Sequence, residues 1–183
     1  VDPGGERTVV NVTRCEEDGP PDRLLDLPAD AVYVRSRRRD LAPLLAAKAA
    51  TALVVAHLPP VEPGSRPAQI LVASASDLAP DVCREPWALG RAVAGEILRW
   101  VVVTAGAAGA RARSQGERLE APAAPVQPVD TTGAGDAFAA GLLHALLDGE
   151  SMPDALALAA RFGAEATLWA TSGLPAPAVR RLL

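Results

Sequence analysis

Short apolar runs bounded by proline, glycine and charge alternate along this chain with longer segments in which Ala and Leu recur every three or four positions. The first rhythm predicts strands and the second helices. Residues 7–12 alternate apolar and polar side chains, as a half-buried strand does. Residues 30–35 form a short apolar strand, residues 40–50 carry Ala and Leu at helical spacing, and residues 51–56 are a continuous apolar run suited to the middle of a parallel sheet. Strand, helix and strand in that order make a parallel crossover unit. His57 follows at the carboxyl end of the last strand, where open α/β sheets place ligands, but Leu58, Pro59 and Pro60 offer it no polar partner and it reads as a loop residue.

The same rhythm continues. Residues 68–73 predict a strand after a Pro/Gly turn, residues 86–98 a helix, and residues 100–104, Trp-Val-Val-Val-Thr, the strongest strand in the chain. Residues 112–129 turn polar and then proline-rich, with Pro122, Pro125 and Pro128 spacing an extended edge segment. From Asp136 a breaker-free run predicts a helix that stops at Asp148-Gly149. Ser151, with Asp154 three residues on and Pro153 between them, opens another helix to about Ala170. Its Ala-rich face and Gly141 on the preceding helix predict close packing, and a short last helix ends at Leu183. With no repeat, low-complexity tract or composition shift, residues 1–183 read as one α/β domain, a three-layer α/β/α sandwich around a doubly wound, mostly parallel sheet.

Composition narrows the function. A net charge of −4 and a pI near 5.2 lack the basic stripe that nucleic acid requires. Arg35, Arg37, Arg38 and Arg39 cluster, but such a run reads as a solvated loop. The six aromatic residues give few stacking platforms for bases. Cys15 and Cys83 are too few for a disulfide framework, no Cys-x-x-Cys or His pair suggests zinc, and no apolar run is long enough to span a bilayer. The expectation is a cytoplasmic protein with no membrane or nucleic-acid partner.

The chemistry concentrates in residues 129–144, a loop opening directly into a helix. Gly133-Ala134-Gly135 allows a tight turn, and the first helical amides, which lack internal partners, make an anion site that a phosphate reaches because the side chains are small. Asp136 is the exception there. A carboxylate beside a phosphate site serves either as a general base, meeting a substrate hydroxyl next to the phosphate, or simply as the helix N-cap. The residues alone leave both open.

Residues 130–143 resemble, with no violated position, the C-terminal signature of the ribokinase-like or PfkB-type carbohydrate kinases. The Thr104-Ala105-Gly106-Ala107-Ala108-Gly109 stretch is similar to that family's Thr-x-Gly-x-x-Gly turn, though a Gly-x-x-Gly after a strand is also an ordinary hairpin. Ser74-Ala75-Ser76-Asp77 stands where the family carries Asn-x-x-Glu, and His57-Leu58-Pro59 where it shows Asp-Pro-Asn. Gly4-Gly5-Glu6-Arg7-Thr8 resembles the Gly-x-Arg-Thr region that follows the family's sugar-binding lid, so the first core strands, the lid and the early Gly-Gly motif are expected to be missing from this chain.

The resemblance implies ATP-dependent phosphoryl transfer to a hydroxyl of a small sugar or nucleoside-like alcohol. Asp136 would be the base, with Gly133, Ala134 and Gly135 as the anion hole, and Thr104, Gly106 and Gly109 would line the nucleotide. Asp77 would order Mg²⁺ through water, unless it or Ser76 only caps a turn. Asp130 and Thr132, with the Thr171-Ser172-Gly173 loop, would hold a monovalent cation such as K⁺ through backbone carbonyls, and a homodimer is compatible with the family. The competing readings are a nucleotide- or partner-binding relative with impaired catalysis, and a structural α/β domain in which Asp136 only caps its helix.

Overall fold

The computed structural model describes residues 21–171 and 173–183. The expected strand at residues 7–12, the stretch at residues 4–8 and Ser172 lie outside them.

Six strands form one sheet in chain order, β1 (Ala31–Val34), β2 (Leu53–His57), β3 (Ile70–Ser74), β4 (Trp100–Thr104), β5 (Ala110–Arg113) and β6 (Arg118–Ala121). β1 to β4 run parallel, and β5 and β6 return as antiparallel neighbours. Helices α1 (Ala42–Ala49), α2 (Pro80–Arg84) and α3 (Trp87–Ala94) occupy the crossovers, and α4 (Ala134–Leu147), α5 (Met152–Ala166) and α6 (Ala176–Leu182) follow the last strand. The sheet is covered on both faces. Val54, Ala56, Leu71, Ala73, Val101 and Val103 pack with Leu44 and Leu45 of α1 and Val93 of α3, while Val55, Val72 and Val102 pack with Phe138 and Leu142 of α4 and Leu156 of α5. Successive residues of a strand point to opposite faces, so continuous Val/Leu/Ala runs are what two buried faces demand. The three-layer α/β/α expectation holds.

Four details depart from the sequence expectation. The helix expected over residues 86–98 is α3 alone, because Gly95 leaves the helical region at φ +79. The short α2 precedes it, started by Pro80 at its first position. Residues 112–129 are not a simple extended edge: β5 and β6 form a hairpin closed by Ser114, whose amide donates to the Glu117 carbonyl at 3.1 Å and whose hydroxyl accepts from the Glu117 amide at 3.0 Å. Strand β5 reads Ala-Arg-Ala-Arg, and its small buried alanines are weak strand formers that gain their place from the β4 ladder. Finally, α5 stops at Ala166 instead of continuing to Ala170.

Where α4 and α5 cross, Gly141 is obligatory. A Cβ there would lie 2.8 Å from Phe162 Cγ and 3.0 Å from its Cβ, so only glycine lets the two axes approach this closely. Ser151 fixes the other end of α5, its hydroxyl accepting from the Asp154 amide at 3.4 Å. Among the described residues no helix is long and apolar enough to cross a membrane. Replacing Gly141 by Leu overpacks the crossing and is expected to destabilise the protein by about 3 kcal/mol, read as a lowered urea midpoint with an unchanged m-value.

Candidate active site

Strand parity builds one wall of the site. Tyr33, Val55, Val72 and Val102 face α4 and α5; two residues further on, the same parity turns Arg35, His57, Ser74 and Thr104 to that face at the carboxyl edge. The parallel register sets Arg35 beside His57, since Val34 pairs with Ala56, and Ser74 beside Thr104; His57 pairs with Val72, so Ser74 and Thr104 lie one same-face step further along their strands. Arg35 and His57, then Ser74 and Thr104, thus form a staggered polar fringe at the end of an otherwise apolar face.

The start of α4 supplies the opposite wall. Gly133 is its N-cap, at φ +81, a conformation that glycine adopts without a Cβ penalty, and no side chain caps this end. Asp136 is therefore not the N-cap; it lies within the first turn, where a carboxylate also meets the positive end of the helix dipole. The Ala137 amide closes the first helical bond to the Gly133 carbonyl at 2.9 Å. The Ala134 amide leans back to the Thr131 carbonyl at 3.3 Å, which leaves the amides of Gly135 and Asp136 as the first-turn donors that the helix itself does not use. A Cβ on Gly135 would meet nothing within 4 Å, so the space beside this residue is open.

One ion pair joins the two walls. Arg35 Nη1 pairs with Asp136 Oδ2, both side chains about half exposed at 48% and 49%. Sequence reasoning passed over Arg35 as part of a solvated run. The run is a solvated loop, with Arg35, Arg37 and Arg39 exposed, but it is also tied: Arg38 pairs with Asp40, Arg39 with Glu62 at 2.9 Å, and the Arg38 amide donates to the Ser36 hydroxyl at 3.2 Å. Beneath it the fully buried Arg66 donates to the Ser36 carbonyl at 2.6 Å, fixing the backbone beside Arg35. The signal available in sequence was parity, because Arg35 follows Tyr33 by two.

The electrostatics of this corner register on its neighbours. Burial pushes the His57 imidazole below its ordinary 6.5, and Arg35 adds to the effect while Asp77 and Asp136 oppose it. Burial likewise raises the Tyr33 phenol, with Asp136 adding to the rise and Arg35 opposing it. Arg35, His57, Asp77 and Asp136 thus share one electrostatic neighbourhood.

The remaining candidates have local structural roles. Ser74 caps the turn Ala75–Asp77, accepting from the Ser76 amide at 3.4 Å and sharing a hydrogen bond with its hydroxyl at 2.7 Å. Ser74, rather than Ser76 or Asp77, is the cap, and Asp77 is exposed. Thr104 donates to the Ala73 carbonyl at 3.3 Å, and the turn after it closes with the Ala105 amide on the Gly109 carbonyl at 2.8 Å. Gly109 sits at φ +86, where a Cβ would come within 2.1 Å of the Ala121 carbonyl oxygen, so the hairpin alone requires glycine there. The Asp130 carboxylate accepts from the Thr132 amide at 2.8 Å, and the amides of Val129 and Asp130 donate to the Thr167 carbonyl at 2.7 and 3.1 Å, which seats this loop on the end of α5. Thr171 donates to the Gly173 carbonyl at 3.0 Å. Among the described residues no group of three His, Cys, Asp or Glu side chains could hold a metal ion.

Residues 68–178, more than half of the chain, match the pfkB family of carbohydrate kinases. The chain belongs to this family. Over 57 residues it is 53% identical to a fructokinase from Klebsiella pneumoniae, a stretch covering 31% of this chain and 18% of that protein. Ribokinase from Thermotoga maritima superimposes with a TM-score of 0.67 at 17% identity, covering 84% of this chain and 56% of that one. An Arabidopsis thaliana ribokinase, solved with ribose and ATP, gives 0.69 at 21% identity, covering 84% and 55%. The chain spans little more than half the length of these solved structures. Their likeness establishes the ribokinase-like fold, with its sheet and both helical layers.

In this pfkB-family chain His57 gives a pH-dependent handle on the corner. Its folded value lies below 6.5, so the unfolded chain takes up the proton first as the pH falls. The stability it contributes is complete above the unfolded value and is lost as the pH drops through the folded one. His57→Gln is expected to be close to neutral well above pH 6.5 and to flatten the decline below it, as measured by urea unfolding across that range.

Proposed function

We propose that the protein transfers the terminal phosphoryl group of ATP to a hydroxyl of a small sugar or sugar-like alcohol. The observation that carries this reading is the placement of Asp136 in the first turn of α4, beside amides that no side chain caps and a Gly135 whose Cβ position is open. Asp136 takes the proton of the acceptor hydroxyl as that oxygen bonds to phosphorus, and the bond to the ADP oxygen breaks. The Gly133-Ala134-Gly135 turn and the Asp136 amide stabilise charge on the transferring phosphoryl, a contribution of about 3–4 kcal/mol for a well-placed donor. Of the three turn amides, Ala134's is shared with the Thr131 carbonyl, so Gly135 carries more of that work. Thr104, Gly106 and Gly109 line the nucleotide.

Mg²⁺, when bound with ATP, neutralises phosphate charge. Mg²⁺ keeps several waters and needs few protein ligands, so the exposed Asp77 carboxylate suits a role on its water shell without a three-ligand cluster among the described residues. Asp130 and Thr132, in the loop seated on Thr167, are the candidates for a monovalent cation. The working compartment in this reading is the cytoplasm.

A second reading, a relative with impaired catalysis that still binds nucleotide, draws support from the Arg35–Asp136 pair, which occupies the base. Two variants separate the readings. Asp136→Asn is expected to lower phosphoryl transfer from ATP by about 10²–10⁴-fold while ATP binding and the unfolding midpoint stay close to wild type. Equal turnover in the variant removes Asp136 from the base role, and absent turnover in the wild type with intact ATP binding favours the impaired relative. Gly135→Val fills the open space at the helix start and is expected to weaken ATP binding at least tenfold by calorimetry. An unchanged dissociation constant places the phosphates elsewhere.

A further inference from the structure

We infer that the acceptor carries an anionic substituent, a phosphate or a carboxylate, and that Arg35 recognises it. This inference rests on the base assignment of Asp136. An acceptor hydroxyl must come within about 2.6–3.2 Å of the base that deprotonates it. Arg35 already touches that carboxylate, so whatever sits against Asp136 is within reach of the guanidinium. A guanidinium has five N–H donors, and the contact with Asp136 uses only part of them. About half of each side chain is open to solvent, 48% for Arg35 and 49% for Asp136, so an acceptor can approach both.

Charge decides which acceptor benefits. A neutral polyol gives Arg35 no better partner than Asp136, so the base stays in its ion pair while the hydroxyl competes for it. A phosphate or carboxylate on the acceptor takes a planar, bidentate partner in Arg35, the geometry for which arginine is suited. Drawing the guanidinium toward that anion frees Asp136 capacity for the hydroxyl, so recognition and base release become one event. His57 lies next to Arg35 on the same edge and face, where Arg35 and Arg37 act on it electrostatically and Asp77 and Asp136 oppose them, so the corner carries both signs and Arg35 itself is the cation an acceptor anion meets there. Arg66, buried beneath the loop, holds the Ser36 carbonyl at 2.6 Å and so keeps the backbone beside Arg35 from giving way when its side chain changes partner. Arg35 is thus a specificity-determining residue.

The test compares fructose, fructose 6-phosphate and gluconate as acceptors for the wild type and for Arg35→Gln, with ATP saturating. The expected result is a preference for one of the charged acceptors over fructose in kcat/KM, and the charged acceptor that wins tells phosphate from carboxylate. Arg35→Gln is expected to reduce that preference about ten- to hundredfold, mainly through KM, as loss of a hydrogen bond to a charged group does. An equal loss on all three acceptors would mean that Arg35 serves the transferring phosphoryl, and it overturns the proposal. So does a wild-type preference for fructose. Calorimetric binding of the same three compounds separates failure of this inference from failure of the kinase reading. Tight, Arg35-dependent binding of a charged compound with no turnover keeps the anion site and removes the kinase reading. Binding indifferent to Arg35 removes the anion site. The unfolding midpoint of the variant, expected within about 0.5 kcal/mol of wild type for an exposed pair, shows that the fold is retained.

Discussion

A sheet buried on both faces leaves each strand residue one choice, made by parity, and the candidate site follows from it. Tyr33, Val55, Val72 and Val102 are committed to the layer under α4 and α5 by their apolar packing. The residues two positions on have no such freedom to choose a face. Arg35, His57, Ser74 and Thr104 emerge on that side at the carboxyl edge because the core beneath them is apolar and continuous. A slip of one residue in any strand would send these polar groups to the α1 and α3 side and exchange the residues of the two packed faces. The register of the core and the composition of the site are therefore one constraint seen at two ends of the same strands.

The second half of the site depends on how closely α4 sits on α5. Gly141 lets the Phe162 ring occupy the crossing, and the amides of Val129 and Asp130 tie the loop before α4 to Thr167 at the end of α5. These contacts hold the start of α4 at the carboxyl edge, where Arg35 meets Asp136. An exposed ion pair of this kind contributes little to stability, typically 1 kcal/mol or less. Its interest is chemical, because it sets which groups an acceptor can reach together with the base.

How much of this was legible beforehand differs from residue to residue. The strands β1 to β4 and helices α4 and α5 follow from runs of Val, Leu and Ala with clear period and clear stops, such as the Gly149 that ends α4 at φ +85. The β5–β6 hairpin was hidden because alanine carries little strand preference and its partners supply the order. Asp136 was ambiguous between cap and base from spacing alone. Tertiary structure removed the cap, since Gly133 holds that position.

The sequence by itself determined the α/β/α layering, the glycine-rich start of α4 and the membership of the pfkB family, because all three reside in local periodicity and in contiguous residues. Only the tertiary structure decided that Arg35 leaves its basic run to pair with Asp136, and that Arg66 lies buried beneath it. Those contacts join residues that are remote along the chain. No local preference encodes them; they exist because α4, held by α5 against the rest of the sheet, packs beside β1 and brings an arginine and a carboxylate to the same edge of the sheet.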